Sequence, residues 1–289
     1  MSIDDVPGDP GLVVTGGVRA IGRYAVIGHP VAHSMSPTLH NAWFEEMGVG
    51  FTYAALDIPP DELVLRAPAL PFEYSGLNIT APLKVAMLGF ADRVDETAEV
   101  VGATNLLYRD KETKAWTAGN TDGDGFVRGF EEATGEPLAG RDVLILGAGG
   151  AARAIAVAVA RERASNIFIA NRTPENAVKL AQLVGARQAL SLSPDVASRC
   201  DVMPDLVINT LSAVADPFIE TLDLESLPDQ CVLTDINYQH DAALIRRGEE
   251  AALMTVDGRR MFLWQAALSF ERWMGESPDL DLGRRLLGL

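Results

Sequence analysis

Two residues, Lys84 and Asp122, have side chains suited to proton transfer. Lys84 follows an apolar segment and a proline in "LNITAPLK", and no acid lies within seven residues of it on either side. With Pro82 in the first turn of a short helix, "PLKVAML", Lys84 would lie near the positive end of the helix dipole, which disfavours an ammonium. Such a lysine suits acid–base chemistry near neutral pH, and the alternative is an ordinary surface lysine.

A carboxylate partner for this lysine is present in "GNTDGDGF". Asp122 directly precedes a predicted helix, and the glycines on both sides of it indicate a backbone bent to present its side chain. An aspartate there is also a common helix N-cap, and Asp124 has the same alternative role. Asn105, in "VGATN", lies between the two segments along the chain. Periodicity alone does not bring these residues together in space.

The segment "LILGAGGAARA" predicts a dinucleotide site. It places Gly147, Gly149 and Gly150 between an apolar strand and a helix. Glycines let the backbone approach a pyrophosphate, and the free N–H groups at the start of a helix attract the anion. The spacing is G-x-G-G-A rather than G-x-G-x-x-G, so a plain tight turn between strand and helix is the alternative.

The end of the next strand, "ANRT", favours NADP over NAD as the cofactor. An NAD site of this type usually has an acid there, which bonds the 2′-hydroxyl of the ribose. Arg172 takes that position, 25 residues after Gly147 (172 − 147). A guanidinium pairs with a 2′-phosphate that a carboxylate would repel, and the alternative is an exposed loop arginine.

Short strands alternate with helices around these residues, which is typical of βαβ units and a mainly parallel sheet. In the first half, strands are predicted at "YAVIG", "FTYAALD" and "SGLNIT", and helices at "SPTLHNAWFEEMG" and "PPDELVLRAPAL". Ser36 is the predicted cap of the first of these helices, with Pro37 in its first turn and Gly48 past its end.

A second strand–helix series begins at Arg141. Its patterns are "DVLILGAGGAARAIAVAVARERA" and "NIFIANRTPENAVKLAQLVG", followed by strands at "PDLVIN", "CVLTDIN" and "AALMTV". Thr173, Pro174 and Gly185 mark the cap, first turn and stop of the second helix. The last helical pattern, "GRRMFLWQAALSFERWMG", is expected to pack back on the first domain.

These patterns predict a two-domain α/β protein with a cleft between the domains. Residues 1–121 and 259–289 would form a discontinuous, mainly parallel α/β substrate domain, and residues 122–258 a Rossmann-type NADP-binding domain.

Composition and charge exclude several classes of function. The 289 residues carry a formal net charge of −16, which disfavours nucleic acid or an anionic membrane as a partner. Cys200 and Cys231 have no metal-ligand spacing, so neither a disulfide framework nor a metal site is expected. Residues 1–22 resemble a loose leader without a signal-peptide pattern, and no apolar run is long enough to span a membrane. The expected location is the cytoplasm.

Seven blocks, in order from about residue 24 to 275, resemble the shikimate dehydrogenase family. They are "YAVIGHPVAHSMSPTLHN", "NITAPLK", "VGATN", "GNTDGDGF", "GAGGAARA", "NRT" and "DGRRMFLWQAALSFERWMG". The resemblance implies a reversible, NADPH-dependent reduction of 3-dehydroshikimate to shikimate, a step of aromatic amino acid biosynthesis. It also implies that Lys84 and Asp122 are the catalytic pair.

The resemblance further implies which residues bind substrate and cofactor. Ser34 and Ser36 match the hydroxyls that hold the substrate carboxylate, and the other substrate-binding residues implied are Asn78, Thr80, Asn105, Tyr238 and Gln265. The implied cofactor-binding residues are Gly147, Ala148, Gly149, Gly150, Ala151, Asn171, Arg172, Thr173 and, on the nicotinamide side, Ile236 and Gly258. Gln265 interrupts an apolar stripe, and the alternative there is a core glutamine with its hydrogen bonds satisfied.

Three segments depart from the family pattern. "VINTLSAVADP" lacks the usual Asn-Ala-Thr-Ser sequence with a following glycine, which bears on the nicotinamide-side wall. "YQHDAALI" lacks the usual Thr-Pro, and "ATNLL" replaces a commoner Asn-Thr pair.

Two other functions remain open from the sequence. A quinate or dual quinate/shikimate dehydrogenase is the nearest alternative, and the size of the pocket near Ser34, Thr80 and Tyr238 would decide between them. A ligand-sensing regulator that kept the fold and lost the chemistry is a remote alternative, because Lys84 and Asp122 are both retained. The expected partner is a small-molecule substrate, and the expected state is a monomer or a homodimer.

Overall fold

The described part of the chain divides into two units, each with its own six-stranded sheet. The computed structural model describes residues 13–15, 18–20, 22–238 and 242–289. The first unit comprises the described residues within Met1–Glu99, Ala103–Gly119 and Ala266–Gly288. The second comprises Val100–Gly102, the described residues within Asn120–Gln265, and Leu289. Most of the predicted leader, and the segment 239–241 of "YQHDAALI", lie outside the described residues.

The strands of the first unit form one sheet and one separate pair. They are β1 Val13–Thr15, β2 Val18–Ala20, β3 Arg23–Gly28, β4 Thr52–Asp57, β5 Gly76–Ile79, β6 Arg93–Val94, β7 Leu106–Arg109 and β8 Trp116–Gly119. β1 and β2 pair antiparallel, and the sheet has the order β4-β3-β5-β7-β8-β6. β3 lies parallel between β4 and β5, as the alternating pattern predicts. β7, which the pattern does not predict, runs antiparallel to β5 and β8.

Helices connect these strands. They are α1 Ser36–Glu46, α2 Leu63–Arg66, α3 Leu70–Glu73 and α4 Glu96–Val101. The prediction of one helix over "PPDELVLRAPAL" is wrong, since α2 and α3 are single turns separated by a 3-10 segment, Ala67–Ala69. Pro68 and Pro71 lie in the first turns of that segment and of α3. Because proline has no N–H to donate, each one interrupts the hydrogen-bond ladder.

The second unit is a doubly wound parallel sheet, which confirms the predicted Rossmann-type fold. Its helices are α5 Asp122–Thr134, α6 Gly150–Arg161, α7 Pro174–Val184, α8 Asp216–Ile219 and α9 Ala243–Glu250. Its strands are β9 Asp142–Leu146, β10 Asn166–Asn171, β11 Gln188–Ser191, β12 Leu206–Asn209, β13 Val232–Asp235 and β14 Met254–Val256. The order is β11-β10-β9-β12-β13-β14, so it reverses between β9 and β12, where such sheets bind nucleotides.

Both faces of this second sheet are buried. Along β9, Val143 and Ile145 pack in one hydrophobic core, and Leu144 and Leu146 pack in another on the opposite face. A parallel strand covered on both faces has the continuous apolar sequence seen in "VLIL", without polar alternation. The carboxyl edge of the sheet is therefore where polar side chains can serve a ligand.

Two helices end the chain, α10 Arg259–Met274 and α11 Leu280–Leu287. The division between the two units falls inside α10, between Gln265 and Ala266. In the first unit, a Cβ on Gly76 of β5 would lie 2.4 Å from Nε1 of Trp273, so the glycine lets α10 pack on the sheet. Trp43 of α1 donates to the carbonyl of Asp279 at 2.8 Å, beside the start of α11. Within the described ranges, no helix is both long and apolar enough to cross a membrane.

Candidate functional site

Lys84 lies in a turn of the first unit, half-buried, after β5. The prediction of a helix over "PLKVAML" is wrong at Lys84. Residues 81–85 form turns, and a 3-10 helix starts only at Ala86. The carbonyl of Lys84 accepts from the N–H of Thr104 at 2.9 Å, which takes it out of any helical ladder. The expectation that a helix dipole acts on the ammonium therefore has no support. The bond fixes the lysine backbone to the "VGATN" segment instead.

The side chain of Asn78 is used within the first unit. Its Oδ1 accepts from the hydroxyl of Tyr53 at 2.7 Å, and its Nδ2 donates to the carbonyl of Asn105 at 3.1 Å and to Oγ of Ser269 at 2.9 Å. Asn78 is 5% exposed. Both amide hydrogens are thus engaged, so only the oxygen has capacity left for a ligand. The arrangement suits Asn78 to ordering its neighbours at least as well as to binding substrate.

Thr80 and Asn105 lie on either side of Asn78. The N–H of Ile79 donates to the carbonyl of Asn105 at 2.9 Å, and the N–H of Thr80 donates to the carbonyl of Ile27 at 2.8 Å. A Cβ on Gly28 would lie 2.3 Å from the methyl group of Thr80, so the glycine makes room for that side chain. Asn105 is 2% exposed. The carboxyl end of β5 and the adjacent amino end of the antiparallel β7 thus bring together two of the predicted substrate-binding residues.

Ser34 and Ser36 form a pair at the start of α1. Their hydroxyl oxygens are 3.1 Å apart, and Oγ of Ser34 accepts from the N–H of Ser36 at 3.2 Å. The prediction that Ser36 caps the helix is wrong, because Ser36 is its first residue and Met35 holds the N-cap position. Ser34 accepts the N–H of Ser36 instead, so the two serines act as one unit. Pro37 in the first turn is confirmed.

Asp122 is the first residue of α5 in the second unit and is 3% exposed. Thr121 holds the N-cap position, so the alternative of Asp122 as the cap is wrong. The N–H of Asp122 donates to Oδ1 of Asn120 at 3.0 Å. A Cβ on Gly123 would lie 2.7 Å from the carbonyl of Ala154, so this glycine serves close packing of α5 on α6 rather than a bent backbone.

Gln265 and Asp124 are both held within the second unit. Nε2 of Gln265 donates to the carbonyl of Phe262 at 2.9 Å, and the carbonyl of Gln265 accepts from Oγ1 of Thr121 at 3.0 Å. Asp124 accepts from Arg161 at 2.6 Å. The ion pair with Arg161 accounts for Asp124 without a catalytic role. Gln265, in contrast, is hydrogen-bonded to Thr121, the residue that directly precedes Asp122.

The glycine turn has an open backbone. Gly147 has φ of +117°, which a residue with a side chain rarely adopts, and Gly150 begins α6. Gly149 is exposed, and a Cβ there would meet nothing within 4 Å. Ala148 and Ala151 are half-buried on either side. The turn can therefore present backbone N–H groups and a helix start to an anion, as predicted for a pyrophosphate.

Arg172 is exposed directly after β10. Nδ2 of Asn171 donates to the carbonyl of Thr173 at 3.0 Å, which closes the turn, and Thr173 holds the predicted N-cap position of α7. Pro174 and Gly185 bound that helix as predicted. Arg172 thus lies at the carboxyl edge of the sheet, after the strand that pairs with β9, which leads into the glycine turn.

Ile236, Tyr238 and Gly258 lie beyond the other half of this edge. A Cβ on Gly258 would lie 2.2 Å from the carbonyl of Ile236, so only glycine allows that approach. The ring of Tyr238 stacks on that of Phe262, with centroids 4.3 Å apart. These contacts hold the three predicted residues in one region of the second unit.

Sequence patterns missed a group of polar residues at the same edge. Asn209 and Asp235 end β12 and β13 and are each 1% exposed. Asn209 donates to Asp235 at 2.7 Å, and Asn237 donates to it as well. The only hint was that two apolar strands, "LVIN" and "VLTD", each end in a polar residue. Over the described residues, no cluster of three or more His, Cys, Asp or Glu could hold a metal ion.

Three family models match the sequence of the chain. Residues 26–107 match "Shikimate dehydrogenase substrate binding domain", residues 131–258 match "Shikimate / quinate 5-dehydrogenase", and residues 258–287 match "Shikimate 5'-dehydrogenase C-terminal domain". The matches follow one another along the chain and leave residues 108–130 between the first two.

Individual relatives agree with these models. A protein from Bacillus licheniformis named shikimate dehydrogenase (NADP(+)) is 39% identical over 265 residues, which cover 89% of this chain and 93% of the relative. The crystal structure of shikimate 5-dehydrogenase from Thermus thermophilus in complex with NADP(H) and shikimate is 32% identical, covers 92% of this chain and 98% of its own, and has a TM-score of 0.79. The Listeria monocytogenes enzyme, in complex with shikimate and NAD, is 28% identical over 92% of this chain and 96% of its own, with a TM-score of 0.80.

Proposed function

Because the chain belongs to the shikimate dehydrogenase family, we propose that it catalyses the reversible, NADPH-dependent reduction of 3-dehydroshikimate to shikimate. The observation that carries this proposal is the 39% identity, over nearly the whole chain, to a relative named for that activity. The Thermus thermophilus structure, which contains NADP(H) and shikimate, supports the same cofactor and substrate. The doubly wound sheet and its open glycine turn suit the dinucleotide.

Substrate binding and cofactor binding are assigned to different domains. Residues 1–121 and 259–289 would bind the substrate, and residues 122–258 would bind NADP. The match of residues 26–107 to a model described as a substrate binding domain supports the first assignment. The Rossmann-type strand order of β9 to β14 supports the second.

Lys84 is assigned the proton transfer. When bound, the nicotinamide supplies a hydride to the carbonyl carbon of 3-dehydroshikimate. The carbonyl oxygen then needs a proton, which the Lys84 ammonium donates, and in the reverse direction the neutral lysine removes it. The bond between the Lys84 carbonyl and Thr104 supports this role, because it fixes where the side chain begins. Asp122 bonds a neighbouring substrate hydroxyl and orients the lysine, and its burial supports a role in the site.

Ser34 and Ser36 are assigned the substrate carboxylate. Their two hydroxyls are 3.1 Å apart, which suits them to donate to the two oxygens of one carboxylate. Thr80, Asn105 and Gln265 would bond the ring hydroxyls, together with the remaining acceptor capacity of Asn78, and Tyr238 would lie near the substrate.

The cofactor assignment places the pyrophosphate at residues 147–151 and the 2′-phosphate at residues 171–173. Ile236 and Gly258 would lie at the nicotinamide. The exposed guanidinium of Arg172 supports NADP, since it is positioned to pair with the 2′-phosphate that NAD lacks. The Listeria monocytogenes structure contains NAD, so NAD is the cofactor to compare.

The same proposal takes the protein to act in the cytoplasm, as a monomer or a homodimer, on a small molecule. The formal charge of −16 supports the absence of a nucleic-acid or anionic-membrane partner.

One assay tests the proposed function. Purified protein is given shikimate or quinate, each with NADP⁺ or NAD⁺, and the reduced cofactor is followed by its absorbance. Shikimate with NADP⁺ is expected to give the highest kcat/KM. Quinate is the alternative substrate, because one matching model is described as shikimate / quinate 5-dehydrogenase. A higher kcat/KM for quinate with NAD⁺ would replace the proposed function with that of a quinate dehydrogenase.

A further inference from the structure

A buried carboxylate joins the ends of two neighbouring strands in the second unit. Asp235 at the end of β13 is paired in register with Asn209 at the end of β12. Nδ2 of Asn209 donates to Oδ2 of Asp235 at 2.7 Å. Oδ1 of Asp235 accepts from the backbone N–H of Asn237 at 2.8 Å and from its Nδ2 at 2.7 Å. Three N–H donors thus converge on one carboxylate.

Asn209 and Asn237 also hydrogen-bond the backbone of Leu211. Oδ1 of Asn209 accepts from the N–H of Leu211 at 3.0 Å, and Nδ2 of Asn237 donates to the carbonyl of Leu211 at 2.9 Å. The backbone of Leu211 is therefore held from both sides. Asp235, Asn209 and Asn237, with the backbone of Leu211, are called the Asp235 network below.

The neighbouring Thr210 connects the Asp235 network to the glycine turn. Its N–H and its Oγ1 both donate to the carbonyl of Leu146, at 2.9 and 2.7 Å. A Cβ on Gly147 would lie 2.3 Å from Oγ1 of Thr210. The threonine thus packs directly on the turn assigned to the pyrophosphate.

The place of the network in the fold indicates which end of the cofactor it serves. In a doubly wound sheet, the dinucleotide crosses the carboxyl edge at the reversal of strand order, one mononucleotide on each half. β9 and β10 carry the glycine turn and Arg172, so the adenosine half belongs there. The nicotinamide half then falls over the ends of β12 and β13. Ile236 directly follows Asp235, and Gly258 packs on its carbonyl.

A buried charge is a poor way to gain stability. Burial raises the pKa of the Asp235 carboxyl above its ordinary value, and the bonds from Asn209 and Asn237 oppose that rise. A well-packed apolar group is often as stabilising as a buried ionic group, whereas loss of one partner of the ionic group destabilises the protein strongly. The carboxylate instead serves to orient its neighbours. Its oxygens fix the side-chain amides of Asn209 and Asn237, and through them the backbone of Leu211.

We propose that Asp235 is a positioning residue for hydride transfer. Through Asn209 and Asn237 it holds residues 209–211 and Ile236 as the surface against which the nicotinamide ring rests. The network thus supports the wall in the segment where "VINTLSAVADP" departs from the family pattern. This inference rests on the proposed function for the identity of the cofactor and the reaction.

Asp235→Asn is the first test. Asn209 and Asn237 donate to different oxygens of Asp235, and in the variant one of these oxygens becomes an NH₂ group, so one asparagine faces a donor instead of an acceptor. With shikimate and NADP⁺, kcat is expected to fall on the order of 10- to 100-fold, as for a misplaced reacting group. The Kd of 2′-phospho-ADP-ribose, which lacks the nicotinamide, should change by less than about twofold, because Thr210 is held on the glycine turn by its own two bonds to the carbonyl of Leu146, which Asp235 does not make.

The double variant Asn209→Asp with Asp235→Asn, called the exchanged pair, tests whether the lost activity can be restored. The amide at position 235 then donates to the carboxylate at position 209, and its oxygen accepts from Asn237. Every bond of the network is kept, so most of the lost kcat should return. Asp201→Asn is the matched control, since that exposed carboxylate pairs with Arg187 at the amino end of β11, and kcat should not change. Asn237→Ala, at a half-buried position, should lower kcat in the same direction even where Asp235→Asn fails to fold.

Two results would overturn the inference. In one, Asp235→Asn weakens NADP⁺ and 2′-phospho-ADP-ribose by the same factor, which would make Asp235 a residue of the fold alone. In the other, the exchanged pair regains the wild-type Tm without regaining kcat. Failure of the proposed function is distinguishable, because wild-type protein would then turn over shikimate with neither cofactor. The ratio of the two Kd values would still test the network.

Discussion

The guanidinium of Arg161 donates to the carboxylate of Asp124 across 2.6 Å, joining α6 to α5. The pair is partly exposed, and Arg161 also contacts Glu162. Asp122, two residues before Asp124, is buried at the first position of the same helix. The two aspartates of "TDGD" thus have different environments, and only one of them is explained by a surface ion pair.

Substitution of Asp122 and of Asp124 should therefore have different effects on kcat. Asp122→Asn is expected to lower kcat for shikimate on the order of 10²-fold or more, because the proposed function assigns to this carboxylate the orientation of the proton donor. Asp124→Asn is the matched control and should leave kcat unchanged, with a loss of stability of about 0–1 kcal/mol for an exposed pair. Steady-state kinetics and urea unfolding measure both. Equal losses of kcat in the two variants would contradict the assignment of Asp122.

Arg172 should determine the choice of cofactor. A charge-assisted bond contributes about 1.5–3 kcal/mol, so Arg172→Ala should weaken NADP⁺ by about one to two powers of ten and leave NAD⁺ nearly unchanged. Loss of the ion pair should also flatten the salt dependence of NADP⁺ binding. Titration of both cofactors against both proteins measures this, with Arg187→Ala as the control at the opposite edge of the sheet. If NAD⁺ weakens as much as NADP⁺, Arg172 supports the fold or the shared adenosine.

The paired serines should act mainly on substrate affinity. Ser34→Ala and Ser36→Ala are each expected to raise KM for shikimate by about tenfold, because each removes one donor to a carboxylate remote from the reacting carbon. kcat should change much less. Since Ser36 is not an N-cap, its replacement should destabilise the protein by less than the ~1 kcal/mol typical of a lost cap. Ser277→Ala, at an exposed serine bonded to Glu271, is the control. An unaltered KM in both variants would remove the serines from the site.

His40 should make stability depend on pH. The ring is 0% exposed and stacks on Tyr53, with centroids 4.4 Å apart, and burial lowers its pKa from 6.5 to about 3. The unfolded chain then binds a proton that the folded chain excludes, so this stabilisation is present above pH 6.5 and is lost as the pH falls towards 3. The loss is about 1.4 kcal/mol per pH unit in that window.

Urea unfolding between pH 7.5 and pH 5 measures this dependence. The uncharged variant His40→Leu should have a shallower slope of unfolding free energy against pH than wild type, whatever its absolute stability. Equal slopes for wild type and His40→Leu would show that the proton reaches His40 without unfolding.

The local pattern predicted several features that depend on neighbours in sequence, although it missed the break that Pro68 and Pro71 make in the helix predicted over "PPDELVLRAPAL". It predicted the apolar strand before Gly147, the glycine turn and the helix end at Gly185, because each of these depends on a few adjacent residues. β11 was missed since it is a four-residue edge strand with alternating exposure and no turn signal. β7 and β8 form a local antiparallel hairpin, with Arg109 opposite Trp116, and were missed because each strand is only four residues long, too short for a clear pattern. β7 also pairs with β5, where Tyr108 lies opposite Gly76.

The site shows the same limit. In place of the helix predicted around Lys84, residues 81–85 form turns, and the carbonyl of Lys84 accepts from Thr104, 20 residues away (104 − 84). The amide of Asn78 is engaged by Ser269, 191 positions away, which no local pattern reveals. Sequence patterns could therefore predict candidate residues for the chemistry. They could not tell which hydrogen bonds those residues have already made.

The most direct measurement is product formation from 3-dehydroshikimate and NADPH, with wild-type protein and with Lys84→Ala. Wild type should form one shikimate for each NADPH consumed. Lys84→Ala should lower kcat on the order of 10²–10⁴-fold, as for loss of a general acid, with a smaller change in KM. Lys111→Ala, at an exposed lysine, should match wild type. NADPH consumption without shikimate, or an unchanged kcat in Lys84→Ala, would contradict the account.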